Sequence, residues 1–282
     1  MASTRKTWMT IFLVAVIVLF IMMEMDRTHG TVYDMNTYYL TGYKSECLLG
    51  AYNTMIRAAS KLHPVMRHNT GIVSMDAFPN NYILKNNYEA IRQEALAIYD
   101  NYELPSFNEV NSVFDRISND KWKVFVLKWY DDPLEQNCHQ RCPITCSLLT
   151  QLPEVRCAMF SILLPGMHIP AHNGPFTGCL RYHLALSVPK DRDNCFIRVD
   201  KTKYHWKEGD DVLFDDTFEH EVYNDTNEIR IVLFADVVRP LTPPFSWLNN
   251  TLTNNAGFAS FVKEMNSNGE KHVNLKLNDL TL

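Results

Sequence analysis

Two short runs in this 282-residue chain present a histidine in a setting suited to metal ligation. They are Pro170-Ala-His-Asn-Gly174 around His172 and Phe214-Asp-Asp-Thr-Phe-Glu-His-Glu221 around His220. Neutral imidazole suits iron(II), and two histidines plus a carboxylate on one face of the metal, with the other positions open, is the arrangement of non-haem iron oxygenases. Arg230 makes a different demand. In Ile229-Arg-Ile-Val-Leu-Phe-Ala-Asp236 it shares the period-two face of Val232 and Phe234, so an extended strand aims it into an apolar interior. A buried guanidinium without an anion is expensive, and its planar fork matches a carboxylate. In Leu180-Arg-Tyr-His-Leu-Ala-Leu186 one face is Leu180, Tyr182, Leu184 and Leu186. The other carries Arg181 and His183, and it faces either water or a polar pocket.

Strands must position these side chains, and the pattern after Pro153 is almost entirely strand. Candidates are residues 158–164, 180–188, 196–199, 212–214, 219–223 and 229–238. Turn signals separate them, among them Pro165-Gly166, Asn173-Gly174-Pro175 and Glu208-Gly209-Asp210. Short strands at this spacing predict a double-sheet jelly roll or barrel, not βαβ units. Upstream, residues 88–99 place Tyr88, Ile91, Ala95 and Ile98 on one helical stripe, and residues 121–130 alternate as a strand. A shorter amphipathic helix is expected near residues 51–62, and another near 258–265.

Several runs occur together and in order: Phe160-Ser-Ile-Leu-Leu-Pro-Gly-Met-His-Ile-Pro-Ala-His-Asn-Gly-Pro175, Leu180-Arg-Tyr-His-Leu184, Trp206-x-Glu-Gly209, Phe214-Asp-Asp-x-Phe-Glu-His-Glu-Val222, Arg230 and Asp236-Val. Together they resemble the oxygenase domain of the aspartyl/asparaginyl β-hydroxylase family, densely over residues 159–241. The resemblance implies a mainly β double-stranded β-helix of the jelly-roll or cupin-like type, with flanking N-terminal helices. It also implies a dioxygenase using Fe(II), 2-oxoglutarate and O₂. Carried over, His172 and His220 hold the metal, and Arg230 and Ser161 bind the distal carboxylate of 2-oxoglutarate. Arg181 and His183 line the metal-chelating end of that co-substrate. Most such oxygenases read His-x-Asp, but Gly174 stands at that position and supplies no ligand. The family lacks that carboxylate too, so water is expected in its place, held by Asp216 from outside the ligand set; a plain hairpin turn at Asp215-Asp216 is the alternative. The stretch Thr145-Cys-Ser-Leu-Leu149 also matches, which implies a disulfide from Cys146 to Cys138 or Cys142.

The implied reaction is hydroxylation at Cβ of an Asp or Asn in a protein substrate such as an EGF-like domain. A short anchored chain carrying Asp236-Val-Val-Arg-Pro-Leu241 also resembles the lipid acyl-chain hydroxylases of the same family. A catalytically inactive jelly-roll binding module is the competing class, and the joint presence of His172, His220, Arg230 and Ser161 argues against it. A cupin with another metal would leave Arg230 without an anion.

The remaining features bound the setting. A net charge of −5 with 21% charged residues gives no general basic excess, which argues against nucleic acid as a partner. Arg5 and Lys6 precede the uncharged run Trp8–Met23, long enough with its flanks to span a thin bilayer. The expected organisation is a cytoplasmic tail over 1–7, a transmembrane signal-anchor over 8–25 and a stalk over 26–70. The oxygenase domain follows over 71–241, and a tail over 242–282. That topology is type II, with the catalytic domain in the lumen of the endoplasmic reticulum or Golgi, or otherwise extracytoplasmic. Seven cysteines fit an oxidising compartment. Cys138, Cys142 and Cys146 beside His139 lack the second half of a zinc knuckle and favour a disulfide. Asn224-Asp-Thr and Asn249-Asn-Thr are glycosylation candidates if that side is luminal.

Overall fold

The period-two texture after Pro153 resolves into eight strands that alternate between two sheets. A computed structural model describes residues 33–34, 39–40, 43–68, 70–110, 117–130, 132–133, 135–254, 268–269 and 273–276. The strands used below are β1 (Ile72–Val73), β2 (Trp122–Trp129), β3 (Val155–Leu163), β4 (Met167–His172) and β5 (Cys179–Ser187). They continue with β6 (Cys195–Val199), β7 (Thr202–His205), β8 (Asp211–Phe214), β9 (His220–Asn224) and β10 (Arg230–Val238). The helices are α1 (Tyr43–Ser60), α2 (Tyr88–Asn101), α3 (Pro143–Leu149) and α4 (Phe245–Asn254).

The major sheet runs β1-β8-β5-β10-β3-β2, with residues 132–133 beyond β2, and the minor sheet runs β7-β6-β9-β4. All the pairings are antiparallel. Strands β3, β5, β8 and β10 lie in one sheet while β4, β6, β7 and β9 lie in the other. The chain therefore crosses between sheets at nearly every turn, which is the double-stranded β-helix the sequence implies.

Two apolar layers follow from the alternation. Met159, Leu163, Ala185, Ile197, Trp206, Phe214, Val222, Val232 and Phe234 fill the space between the sheets. Phe160, Ile162, Leu180, Tyr182, Leu184, Leu186 and Leu233 point the other way. Against that second face α2 packs Ile91, Ala95 and Ile98, the stripe expected from its spacing. Glu94 of α2 accepts from the backbone N–H groups of Ile144 and Thr145, each at 2.8 Å. It thereby caps the start of α3, whose first donors have no partner within the helix.

The structure departs from the sequence reading in several places. Strands β4 and β7 were not expected. Pro170 argues against a central strand, and β4 is indeed at the edge of the minor sheet, where a proline costs no ladder bond. The helix expected near residues 51–62, within the stalk, is present as the longer α1, and its Tyr52, Ile56 and Ala59 are buried against Leu241 and Phe245. The tail expected from residue 242 begins with α4, which buries Phe245, Leu248 and Asn249. Cys146 pairs with Cys138, and Cys142 is a buried free thiol. Both glycosylation candidates are corrected: Asn224 and Asn249 are fully buried, and their amides are spent on backbone carbonyls. The expected anchor and the helix near 258–265 lie outside the described residues. Among the described residues no helix is long and apolar enough to cross a membrane.

Asn224 Nδ2 donates to the carbonyls of Leu163, Leu164 and Glu228 at 3.0 to 3.3 Å, tying the end of β9 to the end of β3. Asn224→Ala is expected to lower unfolding stability by about 2 kcal/mol, because buried acceptors are left unpaired. Urea denaturation measures this, and a change within about 0.5 kcal/mol would contradict the bracing role.

Candidate active site

Strands β4 and β9 lie side by side, and their register sets His172 directly opposite His220. The two rings are 4.2 Å apart between centroids. His172 Nδ1 lies 2.7 Å from the carbonyl of Pro170, and His220 Nδ1 lies 3.0 Å from the carbonyl of Phe218. A carbonyl only accepts, so each Nδ1 carries the proton and each Nε2 keeps its lone pair. Burial holds His172 down to about 4 and His220 well below its ordinary value. Both rings are thus neutral imidazoles of fixed tautomer near pH 7. Among the described residues no third His, Cys, Asp or Glu completes a cluster with them.

The absent third ligand has a structural counterpart. A Cβ on Gly174 would collide with the carboxylate of Asp216, and the Gly174 N–H donates to the Asp216 carbonyl at 2.7 Å. Asp216 therefore fills the volume that a side chain at position 174 would take. Its carboxylate pairs with Arg181 Nη2 at 3.0 Å, and burial outweighs that cation and pushes its pKa up to about 6. Arg181 is shared, since its Nε donates to Asp236 at 3.1 Å and its guanidinium lies 4.3 Å above the Phe234 ring. Neighbouring Asp215 plays no part in this pairing. It forms a buried ion pair with Arg239 at 2.6 Å and accepts from Thr217.

Arg230 projects between the sheets as its strand face requires, and it is 1% exposed. One Nη donates to the carbonyl of Ser161 at 3.3 Å and the guanidinium sits 4.8 Å from the Trp206 ring. Its Nε finds no acceptor, no carboxylate of the described residues pairs with it, and burial pulls its pKa down to about 10. Ser161, across from Val232 on β10, accepts from Trp122 Nε1 at 3.0 Å and still has its own hydroxyl proton to give. His183 lies among Trp206, Phe214 and Phe234 with neither ring nitrogen partnered, and burial keeps it neutral. Trp206 Nε1 is also buried without a partner. A native interior rarely leaves so many polar atoms unsatisfied in one place. A small, oxygen-rich dianion bound between the sheets would satisfy them.

The structure thus brings His172, His220, Asp216 and Arg181 together, and sets Ser161, His183 and Arg230 deeper between the same two sheets. Sequence reasoning missed Asp236, Trp206 and Trp122 as members. Asp236 was legible, because it continues the Arg230, Val232, Phe234 face at period two; the two tryptophans come from strands or loops that no local pattern places here.

The comparisons agree with this geometry. Residues 85–240 match the family model described as aspartyl/asparaginyl beta-hydroxylase. The chain belongs to the aspartyl/asparaginyl β-hydroxylase family. It is 41% identical over 198 residues to the ornithine lipid ester-linked acyl 2-hydroxylase of Rhizobium tropici, a match spanning 70% of each chain. It is 36% identical over 169 residues to the human aspartyl/asparaginyl beta-hydroxylase, covering 57% of this chain but 21% of that protein. Among solved structures, a cupin domain of an Enterobacter cloacae transcriptional regulator aligns over 43% of this chain at 12% identity with a TM-score of 0.31. Strand order establishes the jelly roll.

Because both histidines are neutral well below their ordinary pKa, protons should not compete with a metal near neutrality. Co(II) affinity of the full chain is expected to change by less than about threefold between pH 7.5 and 6.0. Two ordinary imidazoles would each be about three-quarters protonated at pH 6.0 and would weaken binding by about tenfold. Calorimetric titration at both pH values tells the two apart.

Proposed function

We propose that this hydroxylase-family chain is an Fe(II)- and 2-oxoglutarate-dependent dioxygenase whose substrate is the acyl chain of a membrane lipid. The observation that carries the co-substrate is Arg230, a guanidinium 1% exposed with no carboxylate partner and an orphaned Nε. The metal reading rests on two facing neutral imidazoles, each with its Nδ1 on a local backbone carbonyl. When bound, iron(II) and 2-oxoglutarate together activate O₂ to place one oxygen atom on a substrate C–H, releasing CO₂ and succinate.

The chain's own residues then have defined tasks. Arg230 and the Ser161 hydroxyl bind the distal carboxylate, and Trp206 covers the guanidinium face and keeps water from it. His183, neutral and buried, offers an N–H to the co-substrate. Arg181, held between Asp216 and Asp236, would carry positive charge at the metal-chelating end. Asp216 would accept a hydrogen bond from a water at the ligand position that Gly174 leaves unsupplied, and so hold it there.

The lipid reading is supported by the extent of the Rhizobium match, which runs over 70% of both chains and so beyond the family-model span. The human match supports a second reading, Cβ hydroxylation of Asp or Asn in a protein such as an EGF-like domain, over a much smaller share of that relative. An anchor over residues 8–25 with the domain on the luminal or extracytoplasmic side would hold the site beside lipid, and the Cys138–Cys146 disulfide is consistent with that oxidising side.

His172→Ala or His220→Ala is expected to abolish succinate release from 2-oxoglutarate, and retained turnover in either variant would remove the metal assignment. Arg230→Ala is expected to raise the 2-oxoglutarate KM at least tenfold, the loss of a charged hydrogen bond of about 1.5–3 kcal/mol. Mass spectrometry after turnover with lipid extracts and with EGF-like peptides decides the substrate: one added oxygen on an acyl chain supports the lipid reading, and one on a peptide Asp or Asn replaces it.

A further inference from the structure

Helix α1 lies outside the residues that match the family model, yet its side chains hold the loop that leaves His172. Asn53 Nδ2 donates to the Pro175 carbonyl at 2.7 Å, and Asn53 Oδ1 accepts from both Thr177 N–H at 3.1 Å and Thr177 Oγ1 at 2.9 Å. One carboxamide thus mimics a strand partner, donating and accepting across residues 175–177. The adjacent Tyr52 stacks its ring on Phe176, 5.4 Å between centroids and nearly parallel. Its hydroxyl donates to Asn249 Oδ1 at 2.6 Å, and Asn249 in turn donates to the Gly178 carbonyl at 2.9 Å. Arg239 donates to the Thr177 carbonyl from the far side.

These contacts leave residues 175–178 no independent freedom. The span between His172 and the pinned segment is only Asn173 and Gly174. Asn173 itself donates to the Thr217 carbonyl at 3.0 Å, three residues before His220. The position of His172 relative to His220 is therefore framed by α1 on one side and by the residue 214–220 loop on the other. We infer that Asn53 is a positioning residue for His172, so that metal binding depends on a helix contributed by the N-terminal segment and not by the β-roll alone. The inference rests on the metal reading given above. Partners that orient metal ligands at one remove typically account for ten- to hundredfold in metal affinity.

The test uses the full chain and two readouts. Hydrogen exchange of the metal-free protein reads the pinning directly, and Mn(II) binding in the presence of 2-oxoglutarate, followed by the free-ion EPR signal, reads its consequence. Asn53→Ala is expected to speed exchange in residues 173–178 at least tenfold and to weaken Mn(II) binding about tenfold. Ala59→Gly, on the same helix but away from the loop, serves as the control: it should lower the thermal midpoint while leaving Mn(II) affinity within twofold. Faster exchange with unchanged Mn(II) affinity in Asn53→Ala would overturn the positioning role, and so would an equal loss of affinity in Ala59→Gly. If the unaltered chain takes up no Mn(II), the metal reading fails and this inference with it, whatever the exchange data show. Should Asn53→Ala not fold, Thr177→Val removes one arm of the same contact and is expected to weaken Mn(II) binding about threefold; no change there overturns the inference equally.

Discussion

A guanidinium buried between two sheets without a counter-ion is the constraint around which this molecule is organised. Removing a charge from water costs several kcal/mol unless something answers it, and the described residues around Arg230 answer it with one carbonyl and the face of Trp206. The sheets close over it all the same, with Met159, Val232 and Phe234 packed around the same space. Such a site stores a binding demand: an anion of the right shape relieves a penalty the fold has already incurred. His183 and Trp206, also buried and unpartnered, extend the demand to several donors at once. This distinguishes the interior from an ordinary jelly-roll core, which is apolar throughout.

The facing histidine pair depends on the same architecture differently. Each ring is fixed by its own local carbonyl two residues back, so the tautomer is a property of short sequence runs. Their juxtaposition is not, since 48 residues separate them and only the register of β4 against β9 brings them opposite. The collision that any Cβ at position 174 would suffer shows that the glycine and Asp216 are one feature, the Asp216 carboxylate occupying the space beside position 174. Asp216 then shares Arg181 with Asp236, and burial, reinforced by the Asp236 charge, outweighs that one cation and leaves Asp216 able to protonate near neutrality.

Much of this was legible beforehand because β-strands carry a strict two-residue period. That period assigned Arg181 and His183 to one face of β5 and Arg230 to the interior face of β10, and both assignments hold in the structure. It failed at Met167–His172, where Pro170 disguises a strand that carries a metal-ligand candidate, and an edge position is what permits the proline. The helical period found the helix that carries Tyr52 and Asn53 but not where it docks, since the partners of its buried Tyr52, Ile56 and Ala59 lie at the other end of the chain. The sequons at Asn224 and Asn249 were misleading for a related reason: a three-residue motif carries no information about whether its amide is needed inside.

The sequence by itself determined the class of chemistry, through residue types that few other folds would assemble: two histidines, a strand arginine on an apolar face, and a glycine where a carboxylate is usual. It also determined the layering of the roll, because alternation is local and survives any choice of neighbours. Only the tertiary structure decided which groups meet. Tertiary contacts chose Asp216 and Asp236 as partners of Arg181 and brought α1 onto the loop beside His172. Those outcomes depend on contacts between residues tens to more than a hundred positions apart, and no local period or propensity encodes such contacts.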